Sequence, residues 1–234
     1  GLADFKLSGS LNASSGKLTS TSGIISLLEG GQISGTGEID LTGSDWVLRG
    51  DFSKSSGTLT MSETDLKLEG DSTLTSDESF SFVDLNLNDY TLTLGSGTSD
   101  LTVQNEVAID TTTEGISTGE ADLILNNTLT LENGSIDSSG GRFELSEDFV
   151  KSSGTLSISQ TDLKLKESIK ITSNDDVLNF VNLDLNDFVL TLGSDSSDLT
   201  VQNDVTINST TEGIVSGLAD FKLSGSLNAS SGKL

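Results

Sequence analysis

Apolar residues recur at every second position over short runs of this chain, and each run ends in a cluster of turn-forming residues. "DLKL" (65–68), "TLTLG" (91–95), "DLTV" (100–103), "TLTL" (128–131) and "DFKLS" (220–224) alternate strictly. A period of two marks a strand with one face buried. Between the runs fall "SSG", "ENG", "GSG", "EGG" and "SND", whose residue types suit tight turns. No segment sustains the i, i+3, i+4 spacing of a helix; "IISLLEGG" (24–31) comes nearest and is too short. About three strands fit each interval of roughly 20 residues, for instance around Leu59, Leu66 and Leu74, then Phe82, Leu87 and Leu92.

The runs belong to repeats on two scales. "GLADFKLSGSLNASSGKL" occupies residues 1–18 and returns unchanged at 217–234, a period of 216. Inside it, "KSSGTL" (54–59) returns at 151–156 and "TDLKL" (64–68) at 161–165, both offset by 97. "SDLTVQN" (99–105) returns at 197–203 and "TTEG" (112–115) at 210–213, both offset by 98, and "LNLNDYTLTLG" (85–95) matches "LDLNDFVLTLG" (183–193). At the same offset "GEADLILNNTLTLENGSI" (119–136) aligns with the closing eighteen residues. One period thus divides into a unit of 118 residues (19–136) and one of 98 (137–234), the longer carrying about 20 extra residues around 19–39. Taken as coils of 19.6 residues, the shorter unit holds five and the longer six. An insertion of one coil leaves every other coil with its neighbours, which a solenoid tolerates.

Short strands, tiny turns and units quantised near 20 residues predict an all-β parallel β-helix with three strands per coil and about 12 coils over residues 1–234. Leu, Ile, Val and Phe would stack inside, with Ser, Thr, Asp, Asn and Lys facing water. Trp46 aligns with Phe143 and Phe52 with Phe149, as core positions would. Stacked strands lie ~4.8 Å apart, so one 216-residue period would span about 53 Å. An up-and-down β-barrel is the competing architecture, but it gives no reason for such units.

Coils of about twenty residues in a "G-x-L…L-x-L…G" pattern resemble the β-helical shafts of filamentous haemagglutinin-like adhesins and autotransporter passengers of bacterial surfaces. The resemblance covers the whole chain and implies a right-handed, secreted solenoid acting as a stalk or an adhesive fibre. The long exact duplication and the acidity depart from that family's usual look.

Composition narrows the chemistry. Ser and Thr number 66 of 234 residues, and Pro, Cys and His are absent. Disulfides, thiol nucleophiles, imidazole bases and zinc sites are therefore excluded. Twelve Lys and Arg against 36 Asp and Glu leave a net charge of −24. Such a surface repels nucleic acid, whose binding needs phosphates neutralised, and no apolar run reaches the ~20 residues of a membrane helix. Spread over the coils, the charge is about −2 per coil, one per ~2.4 Å of axis at the ~4.8 Å rise. Duplex DNA carries one per ~1.7 Å, so a long array would be a polyanion whose neighbours divalent cations could bridge.

Calcium is the cofactor this pattern allows, though none is required. "DLNLND" (84–89) and "NLDLND" (182–187) put oxygen-bearing side chains at alternate positions, making Asp84, Asn86, Asn88, Asp184, Asn186 and Asp187 the candidate ligands. The turn glycine and terminal glutamate of an EF-hand are missing, as is the glycine-rich nonapeptide of calcium-binding β-rolls, so a solvated strand face beside an asparagine turn is the reading they favour. "SNDD" (173–176) and "SDSSD" (194–198) share both readings. The sequons at 12–14, 126–128, 133–135, 208–210 and 228–230 follow from a chain rich in Asn, Ser and Thr. Polysaccharide-degrading β-helix enzymes gather carboxylates in a cleft walled by long loops; the uniform short turns here speak against catalysis. The expectation is a structural segment of an extracellular repeat protein whose partners are further copies of itself. The alternative is an adhesin, which exposed aromatics repeated every 98 residues would favour, with Tyr90 and Phe188 the pair to check.

Overall fold

The computed structural model describes every residue except 1–3, 13–14, 29–31, 35, 175–176, 195 and 232–234. Among the described residues there is no helix, and 33 strands of two to five residues follow one another in unbroken order. Every ladder is parallel and joins a strand to the third strand after it. Three strands therefore make one turn, and the chain is a β-solenoid of about ten turns. Among the described residues no helix is long and apolar enough to cross a membrane.

Three faces result. The first runs from Phe5–Leu7 through Ile24–Leu27, Asp45–Leu48 and Leu66–Leu68 to Gly213–Val215; the second starts at Ser10–Asn12 and reaches Phe221–Leu223; the third starts at Lys17–Thr19 and reaches Ser226–Ala229. Within a face, strands stack in register: Ile25 on Trp46, Trp46 on Leu66, Leu123 on Phe143, Phe143 on Leu163. Alternation does what the pattern predicts, burying Leu66 and Leu68 while Lys67 points outward. A stack of identical apolar positions is the only way so short a strand can bury its inner face.

The coil averages about 21 residues, ranging from 19 between Leu66 and Leu85 to 24 between Leu92 and Ile116. That corrects the count of twelve coils of 19.6 residues. Corners such as the one holding "TTTEG" (111–115) take up residues that an even division overlooks. The 98-residue offset is consequently not a whole number of turns. Leu66–Leu68 is the tenth strand and its counterpart Asp162–Leu165 the twenty-fourth, so the repeat advances fourteen strands, one short of five turns. Counterpart segments sit on adjacent faces, which works because all three faces are alike. The extra segment of the longer unit supplies Ile24–Leu27, Gln32–Ser34 and Glu38–Asp40, three strands and one full coil.

The interior holds one continuous apolar cluster, and Lys54 and Lys151, expected to face water, are enclosed as well. Trp46 lies 4.9 Å from Phe52 and 6.0 Å from Phe82, ring centre to ring centre, and Phe52 lies 5.9 Å from Phe80. In the next unit Phe143 and Phe149 meet edge to face at 6.1 Å. One glycine position is obligatory. Gly57 and Gly154, equivalent residues of "KSSGTL", have φ of 89° and 77°, and a Cβ there would lie 2.3 and 2.7 Å from the carbonyl oxygens of Thr36 and Gly134 in the coil before.

Candidate functional site

The two "LND" turns are the sharpest local features. Asp84, Asn86 and Asn88 do alternate outward around buried Leu85 and Leu87, and Asp184 and Asn186 do so around Leu183 and Leu185. At Asn88–Asp89 and Asn186–Asp187, however, the backbone turns left-handed, with φ of 50° and 71° in one and 47° and 73° in the other. Asn and Asp are the non-glycine residues that accept such angles most readily. Each asparagine amide donates to a carbonyl of the coil before: Asn88 Nδ2 to Leu68 O at 3.1 Å, Asn186 Nδ2 to Leu165 O at 3.2 Å.

The following coil completes the clamp with a buried glutamate. Glu212 accepts the Asp187 N–H at 2.8 Å through Oε1 and the N–H groups of Asn208 and Ser209 through Oε2. Glu114 repeats this, taking the N–H of Asp89 at 3.3 Å, of Asp110 at 2.9 Å and of Thr111 at 3.4 Å. Both are nearly enclosed, at 8% and 3% exposure for Glu114 and Glu212. Burial of a carboxylate demands such donors. The signal was present in the sequence, since "LND" and "TTEG" recur together with the glutamate 25 residues beyond the turn aspartate, but alternation within strands does not reveal which corners face each other.

A second device uses aspartates at strand starts. The carboxylate of one coil accepts the N–H at or beside the first strand residue of the next: Asp51 from Thr73, Asp71 from Thr91, Asp100 from Asp122, Asp122 from Arg142, Asp148 from Lys170 and Asp198 from Asp220, all between 2.7 and 2.9 Å. At the corners the main-chain ladder lapses, and a side-chain oxygen takes the carbonyl's place. Serine clusters knit a third kind of corner. Ser99 Oγ accepts the N–H of Ser76 at 2.9 Å and lies 2.7 Å from Ser96 Oγ, and Ser197 does the same with Ser173 and Ser194 at 2.9 and 2.6 Å. These serines act as joints between coils.

Cations are few and local. Arg49 and Lys67 meet Glu69, Lys17 meets Glu38 and Asp40, and Arg142, Lys164 and Lys166 surround buried Glu144. The Arg49 hydrogen bond holds the Glu69 carboxyl below its ordinary range, and the Thr42 hydroxyl does the same for Asp40. Asp65 moves the other way: burial raises it against the hydrogen bond from the Asp84 N–H, and the charges of Asp84 and Asp45 raise it further. Between Leu68 and Gly141 the sequence has no Lys or Arg at all.

Of the calcium candidates, Asp84 Oδ1 accepts from Asn105 Nδ2 at 2.8 Å and Asp184 Oδ1 from the Asn186 N–H at 3.0 Å. Among the described residues no group of three or more carboxylates is placed to hold a metal ion. "SNDD", "SDSSD" and the first sequon fall partly on residues 175–176, 195 and 13–14, outside the described set. Tyr90 and Phe188 are partly buried and pack against the core. The large apolar residues exposed among those described are aliphatic: Val150, Val177, Val215, Leu218 and Leu227.

Comparison of the chain with protein-family models, with curated proteins and with solved structures found no match. What this chain does must be argued from its own geometry.

Proposed function

We propose that this chain is a length of an acidic, extracellular β-solenoid fibre or stalk, assembled from copies of its own repeat and serving to hold space between what it joins. The observation that carries this reading is where the polar chemistry is committed. Glu114, Glu212, the strand-start aspartates and the paired serine clusters bind one coil to the next. The same joints recur from unit to unit rather than converging on one place, which suits a mechanical element. A high outward negative charge keeps such fibres apart in water, and the absence of cysteine spares an exported chain from mispaired thiols.

The experiment is a binding screen of the purified chain against glycan arrays and cell surfaces, with and without calcium. A spacer gives no saturable binding under either condition. Saturable glycan binding, lost when exposed outward residues are replaced, would make the chain an adhesin instead.

A further inference from the structure

The duplicated ends of the chain occupy different faces of the solenoid. Phe5–Leu7 is the first strand and lies on the first face, while the identical Phe221–Leu223 is the thirty-second and lies on the second. Ser10–Asn12 on the second face likewise returns as part of Ser226–Ala229 on the third. A period of 216 residues thus advances 31 strands, ten turns and one third.

The chain also shows what those duplicated strands pair with. Phe5, Lys6 and Leu7 stack under Ile25, Ser26 and Leu27, and Leu11 stacks under Ile33. Phe221–Leu223 and Ser226–Ala229 carry the same residues and are the last strands of their faces. Their counterparts 98 residues earlier, Leu123, Leu125 and Leu129, are buried, the first and last of them stacked under Phe143 and Phe149. Phe221 and Leu223 are only partly buried, and Leu227 is 39% exposed. The top of the solenoid therefore presents the surface that, in this same molecule, Ile25–Leu27 and Ile33 cover.

We infer that successive periods join with Phe221–Leu223 and Leu227 of one seated under Ile25–Leu27 and Ile33 of the next, and that each joint turns the period by a third of a turn about the solenoid axis. This rests on the tandem fibre proposed above and adds its register and symmetry. Three periods, 93 strands, bring every side chain back to its starting face. Between returns, each outward feature is shown on all three faces in succession, so the fibre has no distinct side. A multivalent cation or basic partner can then bridge it to neighbours in every direction, giving bundles rather than flat ribbons.

The test uses the full chain extended by further copies of residues 19–234. The protein has no cysteine, so introduced thiols are unambiguous. Strands paired in a sheet lie ~4.8 Å apart, within the Cα range a disulfide spans. Lys6→Cys with Ser26→Cys in the single chain is the positive control, because that pair is already stacked. Lys222→Cys with Ser26→Cys of the second period should oxidise to the same extent. In a four-period chain carrying Asn86→Cys in each period and labelled with small maleimide-gold clusters, electron tomography should place successive labels a third of a turn apart, with the first and fourth in line. Labels aligned along one side would overturn the rotation and leave the fibre standing. Failure of the cross-joint disulfide while the control forms, in a chain no longer than a single period, would overturn both.

Discussion

Replacing Glu212 by glutamine, and Glu114 in parallel, separates two roles of a buried carboxylate in a chain of net charge −24. If carboxylates mainly repel one another, removing a charge stabilises the fold. If Glu212 is the acceptor that closes the "LND" corner, removing it is destabilising. Its Oε1 takes one N–H from the coil below and its Oε2 two from its own corner. Glutamine keeps the first contact and turns an NH₂ donor toward the other two N–H groups, so the loss should be about 2 kcal/mol, the scale of a charge-assisted hydrogen bond and an unpaired donor. Alanine leaves all three donors without the carboxylate, and about 3 kcal/mol is expected. The sites are 98 residues apart with no shared partner, so the double alanine variant should lose about 6 kcal/mol if effects add. Urea unfolding followed by far-ultraviolet circular dichroism gives the sum, and amide hydrogen exchange at Asp187, Asn208 and Ser209 locates it. Glutamine variants with a raised urea midpoint, or unchanged protection at those amides, would refute the acceptor role.

Other perturbations probe other joints. Trp46 is fully enclosed and its Nε1–H has no partner among the described residues, so Trp46→Phe should change stability by less than about 1 kcal/mol, the lost packing being offset by removal of an unpaired donor; Trp46→Ala should lose about 3–5 kcal/mol. Asp65 is held above the ordinary carboxylate range, so its contribution is present at low pH and lost as pH rises through that range. Asp65→Asn, which retains an oxygen for the Asp84 N–H, should therefore be about 0.5 kcal/mol more stable than the parent at pH 7 and equal to it at pH 3. Glu69 has the opposite sign: its ion pair with Arg49 stabilises above the ordinary carboxylate range and is lost on acidification, so Glu69→Gln should flatten the acid limb of the melting profile. Calcium should raise the melting temperature or bundle the fibres beyond what sodium chloride does at equal ionic strength; identical responses to the two salts would remove the cation-bridging proposal.

The fold was legible in the sequence because its signal is local. Strict alternation at 65–68, 91–95 and 128–131 marks strands, and the repeats say that many like units stack. The number of coils was not, since coil length is set at corners, and the full turn from Leu92 to Ile116 takes 24 residues against 19 from Leu66 to Leu85. The "LND" motifs stand out in the sequence as clusters of oxygen-bearing side chains, and their left-handed backbone is seen only in the structure. What they hold was hidden, because the partner of Asp187 is Glu212, on the coil above, and a one-dimensional pattern does not say which corners are superposed. The strand-start aspartates look like surface charge until the register places each beneath an N–H of the next coil.

The most direct test of the account is small-angle scattering from chains of one, two and three periods. Ten and one third turns at ~4.8 Å per turn predict that each added period lengthens the particle by about 50 Å, with the cross-sectional radius unchanged. A maximum dimension that grows only as the cube root of mass, or a cross-section that widens with each period, would contradict it.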